Sequence, residues 1–213
     1  MRELSPRDVE TIVKTMAEVA IANEKYFSEL DSAAGDADFG VSLATGFRAV
    51  LQRWDELDRS AISPLLMKVG MIITSSVGGC SGPIWGTAFM RAGIGSKGKD
   101  ALVRDDLVAL ARSAIEGIQA RGGARFGDKT LIDALGPATD AIAAWGDGDD
   151  LLGALGSAAA VATGQIEATK GWEAKRGRQS FLGERSCGTV DPGIVAVATM
   201  FQEVVAALEK SKR

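Results

Sequence analysis

The chain has 213 residues, 46% of them hydrophobic and 6% aromatic, a formal net charge of −4 and no histidine. That length and apolar content suffice for one large core. The acidic balance argues against a nucleic-acid surface, and the missing histidine excludes a phosphohistidine, an imidazole base and an imidazole-tethered substrate. Abundant Ala, Leu, Val and Gly favour close-packed helices over sheets. No apolar run nears the roughly 18 residues of a membrane span and no signal-peptide pattern opens the chain, so a cytoplasmic protein with no membrane partner is expected. Cys80 and Cys187 lack metal-ligand spacing.

Ser5-Pro6-Arg7-Asp8 starts a helix, with Ser5 as N-cap, Pro6 at the first helical position and Asp8 in the capping-box place. Val9, Ile12, Val13, Met16 and Val19 or Ala20 recur at helical spacing behind it. Next comes D-S-A-A-G-D-A-D-F-G at 31–40, with three carboxylates, Asp31, Asp36 and Asp38, separated by small residues. A segment so lacking in bulk folds tightly enough to aim all three acids at one point, where they repel unless cations sit between them. Oxygen-only ligands select hard ions such as Mg²⁺. Spacing alone leaves a solvated acidic loop equally open, whereas an EF-hand is excluded by the missing alternation and missing terminal Glu. Gly40 is expected to close the turn.

A second helix carries Leu43, Phe47, Val50, Leu51 and Trp54, and Ser63-Pro64 opens a third through Leu66, Val69, Ile72, Ile73 and Val77. G-G-C-S-G-P-I-W-G at 78–86 has five Gly or Pro in nine residues and reads as a loop able to present backbone N–H groups to an anion. It is not a Walker A loop, because no Gly-Lys-Ser/Thr follows. A fourth helix holds Ile84, Phe89 and Met90; a fifth holds Leu107, Leu110, Ala111, Ala114 and Ile118. The segment 122–130 breaks the pattern, and a sixth helix follows from Leu131 to Trp145. Acids at 147, 149 and 150 suit a helix start without metal. A seventh helix runs from about 151 to 172, a polar segment covers 175–190, and Asp191-Pro192-Gly193 starts the eighth.

Eight helices, no convincing strand and no linker give an all-α, up-and-down antiparallel eight-helix barrel or bundle, one domain over 1–213. Alternate connections then fall at the same end. Those after helices one, three, five and seven are the four with unusual chemistry, so one end collects the three acids, the Gly-rich loop with Ser81, Asp128, Lys129, Arg176, Arg178 and Arg185, and the Asp191 helix start. These parts suit a magnesium nucleotide. An eight-helix barrel also has room for an apolar ligand inside.

Four segments, at 31–40, 78–86, 127–135 (G-D-K-T-L-I-D-A-L) and 175–193, resemble the L subunit of dihydroxyacetone kinases in the order of that family. The resemblance implies a nucleotide-binding domain with Mg-ADP or Mg-ATP at one end of the barrel. Asp31, Asp36 and Asp38 look like ligands of two Mg²⁺ ions, and with Arg178 they form the expected catalytic set. Phe39, Gly40, Val41, Ser42, Gly79, Cys80, Ser81, Gly122, Leu131, Arg178, Asp191, Pro192 and Gly193 fall where the family touches nucleotide. The implied activity is phosphoryl transfer to a short-chain ketose, dihydroxyacetone or a related tetrose, held on a separate K subunit by that partner's histidine. The donor is either ATP or a bound ADP recharged by a phosphohistidine-bearing phosphotransferase protein. The family usually has histidine where this chain has Phe39 and Thr189. That departure keeps a second reading open, a nucleotide-binding regulatory paralogue without turnover. A homodimer is left open too.

Overall fold

The structure is a computed structural model and describes residues 1–146 and 150–212. Its α-helices are α1 Pro6–Ala22, α2 Glu24–Ser32, α3 Phe39–Gln52, α4 Ile62–Ser76, α5 Ser81–Gly95, α6 Arg104–Gly122, α7 Ile132–Ala144, α8 Leu151–Ala168 and α9 Pro192–Lys210. Two 3₁₀ segments, Trp54–Glu56 and Arg178–Ser186, lie between them. From α3 onward each long helix packs on its successor, α1 packs on α3, and α9 returns to α1. Eight helices thus close a ring, and α2 sits against α3 and α9 as a ninth. The all-α barrel is as expected from the sequence; α2 was not. The chain kinks at Asn23, whose backbone N–H and side-chain amide both donate to Val19 O, and a second short helix follows.

Local signals explain several helix boundaries. At α1, Ser5 Oγ accepts from Asp8 N while Asp8 Oδ2 accepts from Ser5 N at 2.8 Å, completing the capping box. At α9, Asp191 Oδ1 accepts from Ile194 N at 2.9 Å and Pro192 occupies the first turn. Gly123 ends α6 in the left-handed region, φ 67°.

Two further expectations are corrected. Glu3–Leu4 (β1) pairs antiparallel with Leu102–Val103 (β2), a short ladder that the sequence reading did not find because two residues show no alternation. And α9 is, by length and composition, apolar enough to cross a membrane, with 56% of its apolar window buried inside the fold. Its Ile194, Ala196, Val197, Met200, Val204 and Leu208 all belong to the core, which is why a helix lining a barrel reads as apolar nearly all round.

The ring is not filled. A cavity of about 280 Å³ lies within it, lined among others by Val9, Met16, Trp85, Phe89, Leu110, Leu135, Val197 and Met200. At the far end Leu151 N donates to Met1 O, joining the β1 end of the chain to the start of α8. The connections at 33–38, 77–80, 123–131 and 169–191 are therefore at the opposite end, as the alternation rule requires.

Candidate functional site

The acidic segment is built around Asp31, which lies on the last turn of α2 and is only 6% exposed. Its Oδ2 accepts from Asp38 N at 3.0 Å and Phe39 N at 3.3 Å, so one carboxylate caps the next helix from a distance. The connection closes on it tightly. A Cβ at Gly35 would lie 2.1 Å from Asp31 Oδ1, and Ala37 takes φ 61°. Oxygens of Asp31, Asp36 and Asp38 come within 4.8 Å of one another, close to the roughly 4.2 Å that separates opposite ligands on one Mg²⁺. Among the described residues this is the one such group, and the residues at 147–149 lie outside that description.

Electrostatics agree with a cation site. Partial burial, then the neighbouring Asp36 and Asp31, push the Asp38 carboxyl above the usual carboxylate range, against the opposing pull of Arg178. Three hard oxygen donors gathered this closely are a set whose mutual repulsion a divalent ion relieves. Arg178 reaches the same cluster: its Nε lies 3.0 Å from Asp36 Oδ2 in an ion pair.

Gly40 does not close a turn. It lies in the first turn of α3, where a Cβ would meet Glu24 O at 2.0 Å and Ser28 Oγ at 2.6 Å. Glycine there lets α3 cross directly over α2 and keeps the triad compact. Phe39, beside it, is half-buried and packs edge-on to Phe27 with ring centroids 6.3 Å apart. Val41 is exposed and Ser42 half-buried on the same first turn.

The Gly-rich loop is shorter than expected. Helix α5 already begins at Ser81, because Gly82 and Pro83 are tolerated in a first turn, so only 77–80 is loop. Gly79 has φ 63° with open space around it, Cys80 is exposed, and the N-terminus of α5 opens at Ser81. Gly122 abuts this turn: its Cβ would meet Ile84 Cδ1 at 2.8 Å. Leu131 and Gly193 are likewise neighbours, a Gly193 Cβ falling 3.3 Å from Leu131 Cβ. Pro192 and Gly193 are buried, and desolvation pushes the Asp191 carboxyl up to about 7, with Ile194 N–H and the Lys129 ammonium pulling it back.

Lys129, expected among the charged groups offered to phosphate, is turned inward. It is fully buried at φ 62°, and its Nζ donates to Ser186 O at 2.8 Å, Trp172 O at 3.0 Å and Lys170 O at 3.3 Å. Asp128 is buried as well, accepting from Arg125 N, with Arg176 Nε 3.5 Å away. Asp133, which sequence reasoning did not single out, accepts from Gly127 N at 2.7 Å and Thr130 N at 2.9 Å. The 123–131 connection is therefore wired from inside, and the 169–191 connection is tied to it by the Lys129 ammonium, by Lys175 N donating to Asp128 O and by Arg176 beside Asp128. The signal was present in G-D-K-T-L-I-D, an acid three residues after a threonine.

A match to the DAK2 domain family covers residues 33–206. The ADP-binding subunit DhaL of the PEP-dependent dihydroxyacetone kinase of Escherichia coli (strain K12) is 34% identical over 187 residues, 87% of this chain and 89% of that one. The L-erythrulose 1-kinase of Mycolicibacterium smegmatis is 34% identical over 198 residues, 92% of this chain but 34% of the relative. The crystal structure of the dihydroxyacetone kinase from C. freundii in complex with AMP-PNP and Mg²⁺ superposes with a TM-score of 0.67 at 26% identity, over 97% of this chain and 33% of that one.

Proposed function

The chain belongs to the DAK2 domain family of kinases, and from that premise we propose that it is the single-domain L subunit of a dihydroxyacetone-type kinase. It holds Mg-ADP or Mg-ATP on the triad end of the barrel and passes a phosphoryl group to a short-chain ketose carried by a separate K subunit. The observation that carries this reading is the convergence of Asp31, Asp36 and Asp38 within 4.8 Å, with Arg178 on Asp36.

Asp31, Asp36 and Asp38 would hold the divalent metal, two ions by family likeness, and the metal would neutralise phosphate charge during transfer. Asp31 is positioned by the amides it caps, so it cannot swing away without uncapping α3. The first turns of α3 and α5 offer amides to the diphosphate, with Gly79, Cys80 and Ser81 lining the second. Gly122, Leu131 and the Asp191-Pro192-Gly193 turn are assigned to the nucleotide's remainder. Phe39 has no hydrogen-bonding group for phosphate; its contact with Phe27 gives it a packing role.

Transfer needs a second chain, since no imidazole is available to hold the ketose here. Support for such a partner comes from the rim: Phe181, three residues along from Arg178, is 81% exposed, and large exposed aromatics are common anchors of protein interfaces. The donor is ATP, or a phosphohistidine-bearing protein that recharges bound ADP, and the protein is placed in the cytoplasm. The experiment is calorimetric titration with ADP, with and without Mg²⁺. Asp36→Ala is expected to abolish Mg-dependent binding, whereas Asp140→Ala, an exposed acid on α7, leaves it unchanged. Equal effects would refute the site. Product formation from a panel of short ketoses, supplied with a K-type subunit and each donor, separates a kinase from a regulatory paralogue.

A further inference from the structure

Arg178 and a divalent ion claim the same carboxylate. The guanidinium Nε lies 3.0 Å from Asp36 Oδ2, and its charge also bears on Asp38. The two partners are open to water, with side-chain exposures of 64% for Arg178 and 36% for Asp36. Exposed pairs of that kind hold by no more than about a fivefold factor. A divalent ion that engages three carboxylates outcompetes one such contact, and even if Asp36 keeps one oxygen on each cation, the two positive charges repel. The backbone around Arg178 suits a change of partner. Gly177 (φ 68°, ψ −168°) and Gly183 (φ 55°, ψ −133°) bracket it. Gln179 Nε2 to Val190 O, at 3.2 Å, ties the stretch down just beyond, and Lys129 fixes its base at Ser186.

Resting on the nucleotide reading above, we propose that Arg178 is an internal counter-ion of the aspartate triad, which divalent metal displaces and redirects to the nucleotide's phosphates. Metal binding then precedes and prepares diphosphate binding. The guanidinium leaves a carboxylate for a phosphate, both of which it meets as a planar, permanently charged fork.

The test measures metal alone before any nucleotide. Wild type, Arg178→Gln and Arg178→Lys are titrated with Mn²⁺, read by electron paramagnetic resonance, and then with ADP at saturating metal. Arg178→Gln is expected to bind Mn²⁺ about two- to fivefold more tightly than wild type. It should bind ADP at least about tenfold more weakly. Arg178→Lys, which keeps the charge, stays near wild type for metal. Hydrogen exchange at residues 177–186 should speed up with Mn²⁺ alone and slow again with ADP. Metal affinity unchanged or weakened in Arg178→Gln, or exchange slowed by metal alone, would overturn the counter-ion proposal while leaving the nucleotide site standing. A wild-type protein that binds neither Mn²⁺ nor ADP would bring down both.

Discussion

Replacing Lys129 with methionine tests whether one buried ammonium holds the rim together. The methionine chain nearly fills the lysine's volume, so little cavity forms; Trp172 O loses its donor, whereas Lys170 O keeps the Gly188 N–H and Ser186 O keeps the Thr189 hydroxyl. Each backbone carbonyl left unsatisfied in a buried place costs about 1–3 kcal/mol. Against this, the variant no longer desolvates a charge, a cost visible in the depression of the Lys129 pKa by burial. With one carbonyl orphaned and the other two keeping a donor, the net cost is about 1–3 kcal/mol. For a domain of this size each kcal/mol shifts the melting temperature by about 2–4 °C, so a fall of roughly 2–12 °C is expected. Calorimetric melting gives the total, and hydrogen exchange locates it, with the largest gain at residues 170–188. A drop below about 2 °C with unchanged exchange there would refute the reasoning, since Trp172 O would then have found another partner or never needed one.

Asp191 supplies a pH signature. Its folded pKa, raised to about 7 from 3.8, means that the native state takes up a proton which the unfolded chain has already released. Its contribution to stability is therefore fully present below the unfolded value and is lost as pH rises through about 7. Asp191→Asn keeps an oxygen for Ile194 N–H yet cannot ionise, so its melting temperature should gain on wild type between pH 4 and 8; parallel curves would contradict this. Gly35→Ala places a methyl 2.1 Å from Asp31 Oδ1 and must displace that carboxylate. Mg-dependent ADP affinity is expected to fall at least about tenfold, measured by calorimetry, and an unchanged value would show that the triad does not depend on a fixed Asp31.

How much of this was written in the sequence depends on the range of the forces involved. The caps at Ser5, Asp8 and Asp191 involve partners three residues away, so the residue string alone places them. The end of the barrel at which the three aspartates gather followed from counting helices, because alternation needs only their number and order. It survived the missed α2, which continues α1 after the kink at Asn23 and leaves the alternation of the ring intact. Nothing local shows that Lys129 turns inward, since a lysine is almost always solvated; what draws it in is three carbonyls from residues 41 to 57 positions away. Gly40 looked like a turn residue, yet its smallness serves the crossing of α3 over α2, a contact that no local pattern encodes. The start of α5 at Ser81 was obscured because glycine and proline signal loops and first turns alike.

The closure of α9 against α1 fixes where a fusion has to attach. Helix α1 starts, and α9 finishes, at the pole remote from the aspartates. In relatives where a chain like this forms only a third of the polypeptide, a connector at either terminus would leave from that pole. At 1.5 Å per residue the 19 residues of α9 measure about 28 Å, a length the attached domain must span along the outside of the cylinder before it can meet the aspartate-bearing face. Shortening such a tether should uncouple the two halves while each still binds its own small molecule.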